Sequence, residues 1–307
     1  MNATAGGRLM LLDSASLYFR AYYGVPDSIT APDGTPVNAV RGLLDFIAHL
    51  ITVRSPDRLV ACLDADWRPA FRVALLPSYK AHRLANPATG AENVPAALEA
   101  QVPIIIDVLT AIGLAHVGVP GFEADDVICT LAALDPGPVD VVTGDRDLFQ
   151  LVDDTRGVRV LYTARGVGRH EVIDEAAVTA KYGIPGRSYA DFATLRGDPS
   201  DGLPGVKGIG DKTAATLIGR FGSIEGLLEA TDDPAAEMSP TIRHRLAEAA
   251  DYLKAAPDVV RVRTDVPLPE YDDALPRHPR DPESLVELGE RWNLDNSLNR
   301  VLNALAA

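Results

Sequence analysis

Short apolar runs that end on aspartate constrain this chain more than any other feature. Arg8 to Leu12 (RLMLL) runs into Asp13, and Leu59 to Leu63 (LVACL) runs into Asp64. Val139 to Val142 (VDVV) leads to Asp145 and Asp147 in TGDRD. Such runs read as strands buried on both faces, and Val158 to Leu161 adds a fourth. Between them lie helical patterns at Asn38 to Val53, Pro95 to Ile112 and Glu123 to Leu134. Strands alternating with helices predict an α/β fold, a mainly parallel central sheet with helices on both faces. In such sheets ligands gather outside the carboxyl ends of the strands, where these aspartates fall.

Two further acidic groups join them: Glu123, Asp125 and Asp126 in GFEADDV, and Asp198 and Asp201 in RGDPSDGLPG. Acids are common here, 43 of 307 residues, and any one of them can serve as a helix cap or turn residue. Several at one sheet edge repel one another unless cations intervene. Carboxylate and water ligands suit Mg²⁺ or Mn²⁺ rather than zinc. Two such ions about 4 Å apart clamp the attacking and leaving oxygens of a phosphodiester, so no protein nucleophile is required.

From Tyr182 onward the signals are helices and Gly/Pro turns. The expected division is an α/β core at 1–182 and a mostly helical region at 183–307. Within the latter, Gly205 to Thr213 (GVKGIGDKT) is a glycine turn carrying Lys207 and Lys212. It lacks the Walker spacing and no strand precedes it, so it reads either as a plain helix–helix turn or as a backbone grip on a DNA phosphate. Arg68, Arg72, Lys80 and Arg83 follow Asp64 and form either a solvated helix face or a phosphate-holding set. Tyr22 and Tyr79 read first as packing residues and second as base-stacking ones.

The net charge of −14 excludes a general polycation that coats nucleic acid, so any phosphate partner must meet a local basic patch or metal ions. Cys62 and Cys129 lie in apolar runs and read as reduced core residues, and the histidines show no metal spacing. The start MNATAGGRLMLLD has no leader pattern and no apolar run is long enough to span a membrane, which predicts a cytoplasmic protein.

The segments LMLLDSASLYFRAYYG, VACLDADWRPAFR, LPSYKAHR, GFEADDVICTLA, VVTGDRDLFQLV and RGDPSDGLPGVKGIGDKTA together resemble the 5′-nuclease (flap endonuclease) family of bacterial type. That type is similar to the 5′-nuclease domain of DNA polymerase I and to stand-alone bacterial and phage enzymes. The resemblance implies a PIN-like core with a helix-three-turn-helix near 200–223. It implies metal binding by Asp13, Asp64, Glu123, Asp125, Asp126, Asp145, Asp147, Asp198 and Asp201. The first ion would take Asp13, Asp64, Glu123 and Asp125, the second Asp145, Asp147, Asp198 and Asp201, and a third ion is compatible. It implies that Lys80, Arg83 and Arg20 act at the reacting phosphate. It places Gly205, Lys207, Gly208, Gly210, Lys212 and Thr213 against DNA, with K⁺ at the glycine turn, and the basic run after Asp64 adds Arg72 to the expected DNA contacts.

The expected activity is hydrolysis at 5′ flaps and at 5′ ends or nicks of duplex DNA, in replication and repair, by a monomer that does not engage membranes. RNA primer strands are compatible substrates. The rival readings are a nuclease acting mainly on RNA, a catalytically silent DNA-junction binder, and a small-phosphate hydrolase. Residues 84–100 hold no Lys or Arg where relatives build a helical arch, so a shortened or remodelled cover is expected there.

Overall fold

The computed structural model describes residues 7–86 and 88–307. Residues 1–6, the start of the segment read for a leader, and residue 87, in the expected cover, lie outside the described residues. The α/β part runs β1 (Leu9–Asp13), α1 (Ser14–Gly24), α2 (Asn38–Arg54), β2 (Arg58–Cys62), α3 (Ala70–Leu75), β3 (Leu84–Asn86), β4 (Ala91–Glu92), α4 (Ala96–Glu99), α5 (Val102–Ile112), β5 (Ala115–Val117), α6 (Ala124–Leu134), β6 (Val139–Thr143), β7 (Val158–Tyr162) and β8 (Glu171–Ile173). Helices follow: α7 (Glu175–Tyr182), α8 (Tyr189–Arg196), α9 (Asp211–Phe221), α10 (Ile224–Asp232), α11 (Pro240–Glu248), α12 (Ala250–Val260), α13 (Pro282–Trp292) and α14 (Asp295–Ala306). Among the described residues no helix is long and apolar enough to cross a membrane.

The main sheet has the order β5-β2-β1-β6-β7-β8, parallel except for β8, which runs antiparallel to β7. The four expected strands are present. β5 and β8 were not anticipated, because three-residue edge strands carry too little periodicity to separate from loop. Register sets the site: Asp13 pairs with Cys62 and Leu12 with Val142. The residues just beyond β1, β2 and β6 therefore emerge side by side.

Helices cover both faces. On one, Leu43, Leu44 and Ile47 of α2 and Ile105, Val108 and Leu109 of α5 meet Met10, Leu12 and Val142. On the other, Val127, Ile128 and Leu131 of α6 meet Leu9, Leu11 and Val141, and this core continues into Tyr189, Phe192 and Leu195 of α8. The line at 183 separates two secondary-structure classes but not two cores. Helices α13 and α14 return to the α2 and α5 face, where Leu285, Leu294, Leu298 and Val301 are buried. Each such side chain is worth about 1.5–3 kcal/mol of burial.

The single helix expected over 95–112 is broken into α4 and α5. Gln101 sits at the break, fully buried. Its side-chain oxygen accepts from Ala39 N at 2.8 Å, and its amide donates to Asn38 Oδ1 at 3.1 Å. A remote glutamine thus satisfies the open N–H groups at the start of α2, and Pro103 favours a fresh helix start. The segment 84–100, where a shortened or remodelled cover is expected, contains the small hairpin β3–β4, followed by the one-turn α4.

Candidate metal-dependent nuclease site

Asp13 closes β1 and caps α1, accepting from Ser16 N at 3.1 Å and from the Thr143 hydroxyl at 2.7 Å. Asp64 accepts from Ala124 N at 2.7 Å at the start of α6. Glu123 is the N-cap of α6, and Asp125 stands in its first turn. Asp145 accepts from Asp147 N at 2.9 Å, and Asp198 caps the short turn 199–201 through Ser200 N at 2.9 Å. Asp13, Asp64, Glu123, Asp125, Asp145 and Asp198 line one cleft of about 670 Å³ with Lys80 and Arg83. Aromatic walls come from Tyr18, Phe19, Trp67 and Tyr162. Asp147 and Asp201 lie just beneath, beside Asp125 and Glu123.

Crowding is visible in the titration of these groups. Burial and the Asp64 charge push Asp13 up to about 7 against the pull of Thr143 and Ser16. Burial, then Asp13 and Asp145, hold Asp125 well above the usual carboxylate range. Burial, then Asp145, Asp201 and Asp198, do the same to Asp147, whose buried Oδ1 has no hydrogen-bond partner among the described residues. The cluster therefore calls for added positive charge.

Part of that charge is already in the chain. Lys80 pairs with Glu123, and Arg83 reaches Asp201 at 3.0 Å. Lys80 adopts φ +48, an unfavourable left-handed conformation for a side chain of this size, and its N–H bonds Asp201 O at 2.9 Å. Gly202 makes that bond possible: at φ +71, a Cβ there would stand 2.2 Å from Ser78 O. The Tyr79 hydroxyl donates to Glu123 at 2.8 Å, so this tyrosine packs inside the site and is not free to stack on a base. Arg68 donates to Tyr79 O and Pro77 O, bracing the same segment. Arg20 stands beside Gly144, its buried Nε without a partner among the described residues.

Two expected site residues are turned away. Arg72 is 2% exposed and binds Asp126 through both terminal nitrogens and Glu123 through one. Asp126 is fully buried and also accepts from Arg263 N and Glu123 N. Asp126 is therefore a cap and ion-pair partner rather than a ligand, and Arg72 cannot reach a solvent phosphate. An acid in a helix's first turn looks the same in sequence whether it faces the cleft or the core.

Among the described residues, no three acidic, imidazole or thiol groups close into a finished coordination shell. The donors are instead turned towards Lys80, Arg83 and backbone N–H groups. Their chemistry is all oxygen, their mutual repulsion is only partly offset by Lys80 and Arg83, and Asp147 Oδ1 is buried without a hydrogen-bond partner among the described residues, which together fit hard divalent cations.

The glycine turn links α8 to α9. Val206 and Ile209 are buried anchors, while Lys207, Gly208, Gly210 and Lys212 are exposed and Thr213 is half-buried. Gly205, half-buried, has φ +64 and Gly208 φ +79. Arg245 of α11 donates to Gly208 O at 3.0 Å and so braces the turn; no sequence signal marked it.

A family model for the 5′-3′ exonuclease N-terminal resolvase-like domain matches residues 8–183, and one for the 5′-3′ exonuclease C-terminal SAM fold matches 184–283. The chain belongs to the 5′-3′ exonuclease family. A family member from Streptomyces coelicolor, named 5′-3′ exonuclease, is 62% identical over 97% of this chain and 100% of its own length. One of the same name from Mycobacterium tuberculosis is 51% identical over 97% of each. DNA polymerase I of that organism is 38% identical over 97% of this chain but only 32% of its own length. Among solved structures, a phage T5 flap endonuclease complex with DNA and metal ions superposes with TM-score 0.63 at 18% identity, covering 98% of this chain and 100% of that one. The catalytic core of Rad2 with DNA substrate superposes at 0.59 and 16%, covering 98% and 93%. At these identities the superpositions establish the shared fold.

Proposed function

We propose that this 5′-3′ exonuclease family member is a structure-selective, divalent-metal-dependent 5′ nuclease that hydrolyses DNA at 5′ flaps and at 5′ ends or nicks. The observation that carries this is the convergence of strand-end carboxylates on one cleft with Lys80 and Arg83 at its wall. Asp13, Asp64, Glu123 and Asp125 would hold one ion, and Asp145, Asp147, Asp198 and Asp201 a second. Mg²⁺ and Mn²⁺ match the donor set. When bound, such ions supply the charge that activates water and stabilises the leaving oxyanion.

The chain's own side chains bind and orient. Lys80 and Arg83, now on Glu123 and Asp201, are placed to hold the oxygens of the scissile phosphate once cations take over those carboxylates. Thr143 and Ser16 N fix the Asp13 carboxylate, and Arg72 fixes Glu123 from behind. Exposed Lys207 and Lys212 with the N–H groups of the glycine turn would hold the duplex backbone without reading sequence.

The deciding experiment uses a labelled 5′-flap substrate with Mg²⁺, Mn²⁺ or EDTA, and Asp145→Asn in parallel. Metal-dependent cleavage near the junction, lost with EDTA and in the variant, is expected. Wild-type rates in Asp145→Asn would refute the site assignment. Binding without cleavage under every metal would favour the silent junction binder. Cleavage of single-stranded RNA in preference to the flap would favour the RNA nuclease.

A further inference from the structure

The chain holds only five lysines, and three of them, Lys181, Lys207 and Lys212, lie at or beside the glycine turn. Lys207 and Lys212 belong to the turn itself. Lys181 comes from the last turn of α7, on the other side of an open groove of about 620 Å³ between α7 and α9. Lys181 and Lys212 flank this groove, and Gly183, Ala215, Thr216 and Gly219 line it. A Cβ at Gly219 would meet nothing, so the floor admits a bulky group close to the backbone. Lys181 is exposed, makes no ion pair among the described residues and rests on the Tyr182 ring at 5.3 Å. Asp211, at the start of α9, also lines the groove and is the acid that any anion there would pass.

An aromatic cluster spans the distance from the groove to the acidic cleft: Tyr182 of the groove packs on Phe149 at 6.3 Å, and Phe149 packs on Tyr162 of the cleft wall at 5.1 Å. Tyr182 therefore belongs both to this cluster and to the lining of the α7–α9 groove. Arg146 lines the cleft, is exposed and has no ion pair among the described residues. In a protein of net charge −14, an unpaired Arg–Lys–Lys path over small residues is a local exception to a repulsive field.

We propose that this path is a phosphate track: the DNA backbone passes Arg146 and lies in the groove between Lys181 and Lys212. The inference rests on the nuclease reading above and extends it, adding phosphate contacts from α7 to those of the glycine turn. Lys181 also sits favourably at the C-terminal end of its helix, so the test must separate a DNA contact from a helix contact.

The test measures the affinity of a nicked or flapped duplex across a salt series, in an Asp145→Asn background so that substrate stays intact. Removing one lysine–phosphate interaction lowers the slope of log affinity against log salt by about 0.9. Lys181→Ala is expected to lower it by about that amount, Lys181→Arg to leave it unchanged, and Lys181→Ala with Arg146→Ala to lower it further. Lys254→Ala, an exposed lysine on α12 outside the groove, is expected to have no effect. A parental slope in Lys181→Ala, with a reduced slope in Lys207→Ala, would overturn the track and leave the nuclease reading intact. An equal reduction in Lys254→Ala would overturn the track as a defined path. A parent protein that shows no salt-dependent DNA binding would overturn the nuclease reading, and the track with it.

Discussion

Arg72 grips Asp126 through two parallel hydrogen bonds of 2.7 Å, with both side chains almost wholly out of water. The same guanidinium reaches Glu123 at 2.6 Å and donates to Val259 O at 2.9 Å. It therefore ties the N-terminus of α6, which carries Glu123 and Asp125 into the cleft, to α12 in the helical region. Removing one partner of a buried pair leaves an uncompensated charge, at about 3–5 kcal/mol. Arg72→Ala is expected to lose stability of that order in urea unfolding, and Arg72→Lys to recover little, because an ammonium cannot reproduce the fork. Near-wild-type stability of Arg72→Ala would contradict the structural role.

The carboxylate cluster implies a coupling between pH, stability and metal. Asp13 is raised from its unfolded value to about 7, chiefly by burial and by Asp64. The folded state then binds more protons than the unfolded one between those values, so the Asp13 contribution to metal-free stability falls as pH rises from about 4 through about 7, and Asp125 and Asp147, raised in the same direction, act with the same sign. Divalent cations compete with the protons and bind best once the carboxylates are ionised. The Tm gained on adding Mg²⁺ should therefore be larger near pH 8 than near pH 4. An equal gain at both, read by calorimetry with and without EDTA, would argue against a cation in this cleft.

What the sequence revealed and what it hid divide by range. Asp13, Asp64 and Asp145 were legible because strand ends in a parallel sheet share one edge, a rule that needs only local apolar runs. The roles of Arg72 and Asp126 were not legible, because their partners lie 54 residues apart and the choice between core and cleft is made by tertiary packing. The break at Gln101 was hidden for the same reason: its amide serves the start of α2, about 60 residues earlier. The return of α14 to α2 brings together opposite ends of the chain, and an amphipathic helix does not name the face it will cover.

Lys207 offers the simplest check on the glycine turn. It is exposed between the buried anchors Val206 and Ile209, which point it outward regardless of its own side chain. Lys207→Ala should leave Tm within experimental scatter and lower the salt slope of duplex binding by about 0.9, the signature of one phosphate contact. A fall in Tm with an unchanged slope would mean that the lysine supports the turn instead of touching DNA.

Gly202 is where backbone shape and chemistry meet most tightly. Its φ of +71 and the 2.2 Å approach of a hypothetical Cβ to Ser78 O leave no room for any side chain. This packing seats the 198–201 turn against residues 78–80, so that Lys80 N reaches Asp201 O and Arg83 reaches the Asp201 carboxylate. Gly202→Ala must therefore push the two segments apart, at a cost of about 1–3 kcal/mol for the overlap plus the strain of positive φ. Because Asp198 and Asp201 ride on one segment and Lys80 on the other, the displacement should lower cleavage at least about tenfold, as a change remote from the substrate can when it shifts reacting groups. Gly24→Ala is the matched control, an exposed helical position at the end of α1, outside both the cleft and the groove, with open space where alanine should raise Tm slightly. If Gly202→Ala cleaves at the wild-type rate, the packing of these two segments does not position the catalytic side chains.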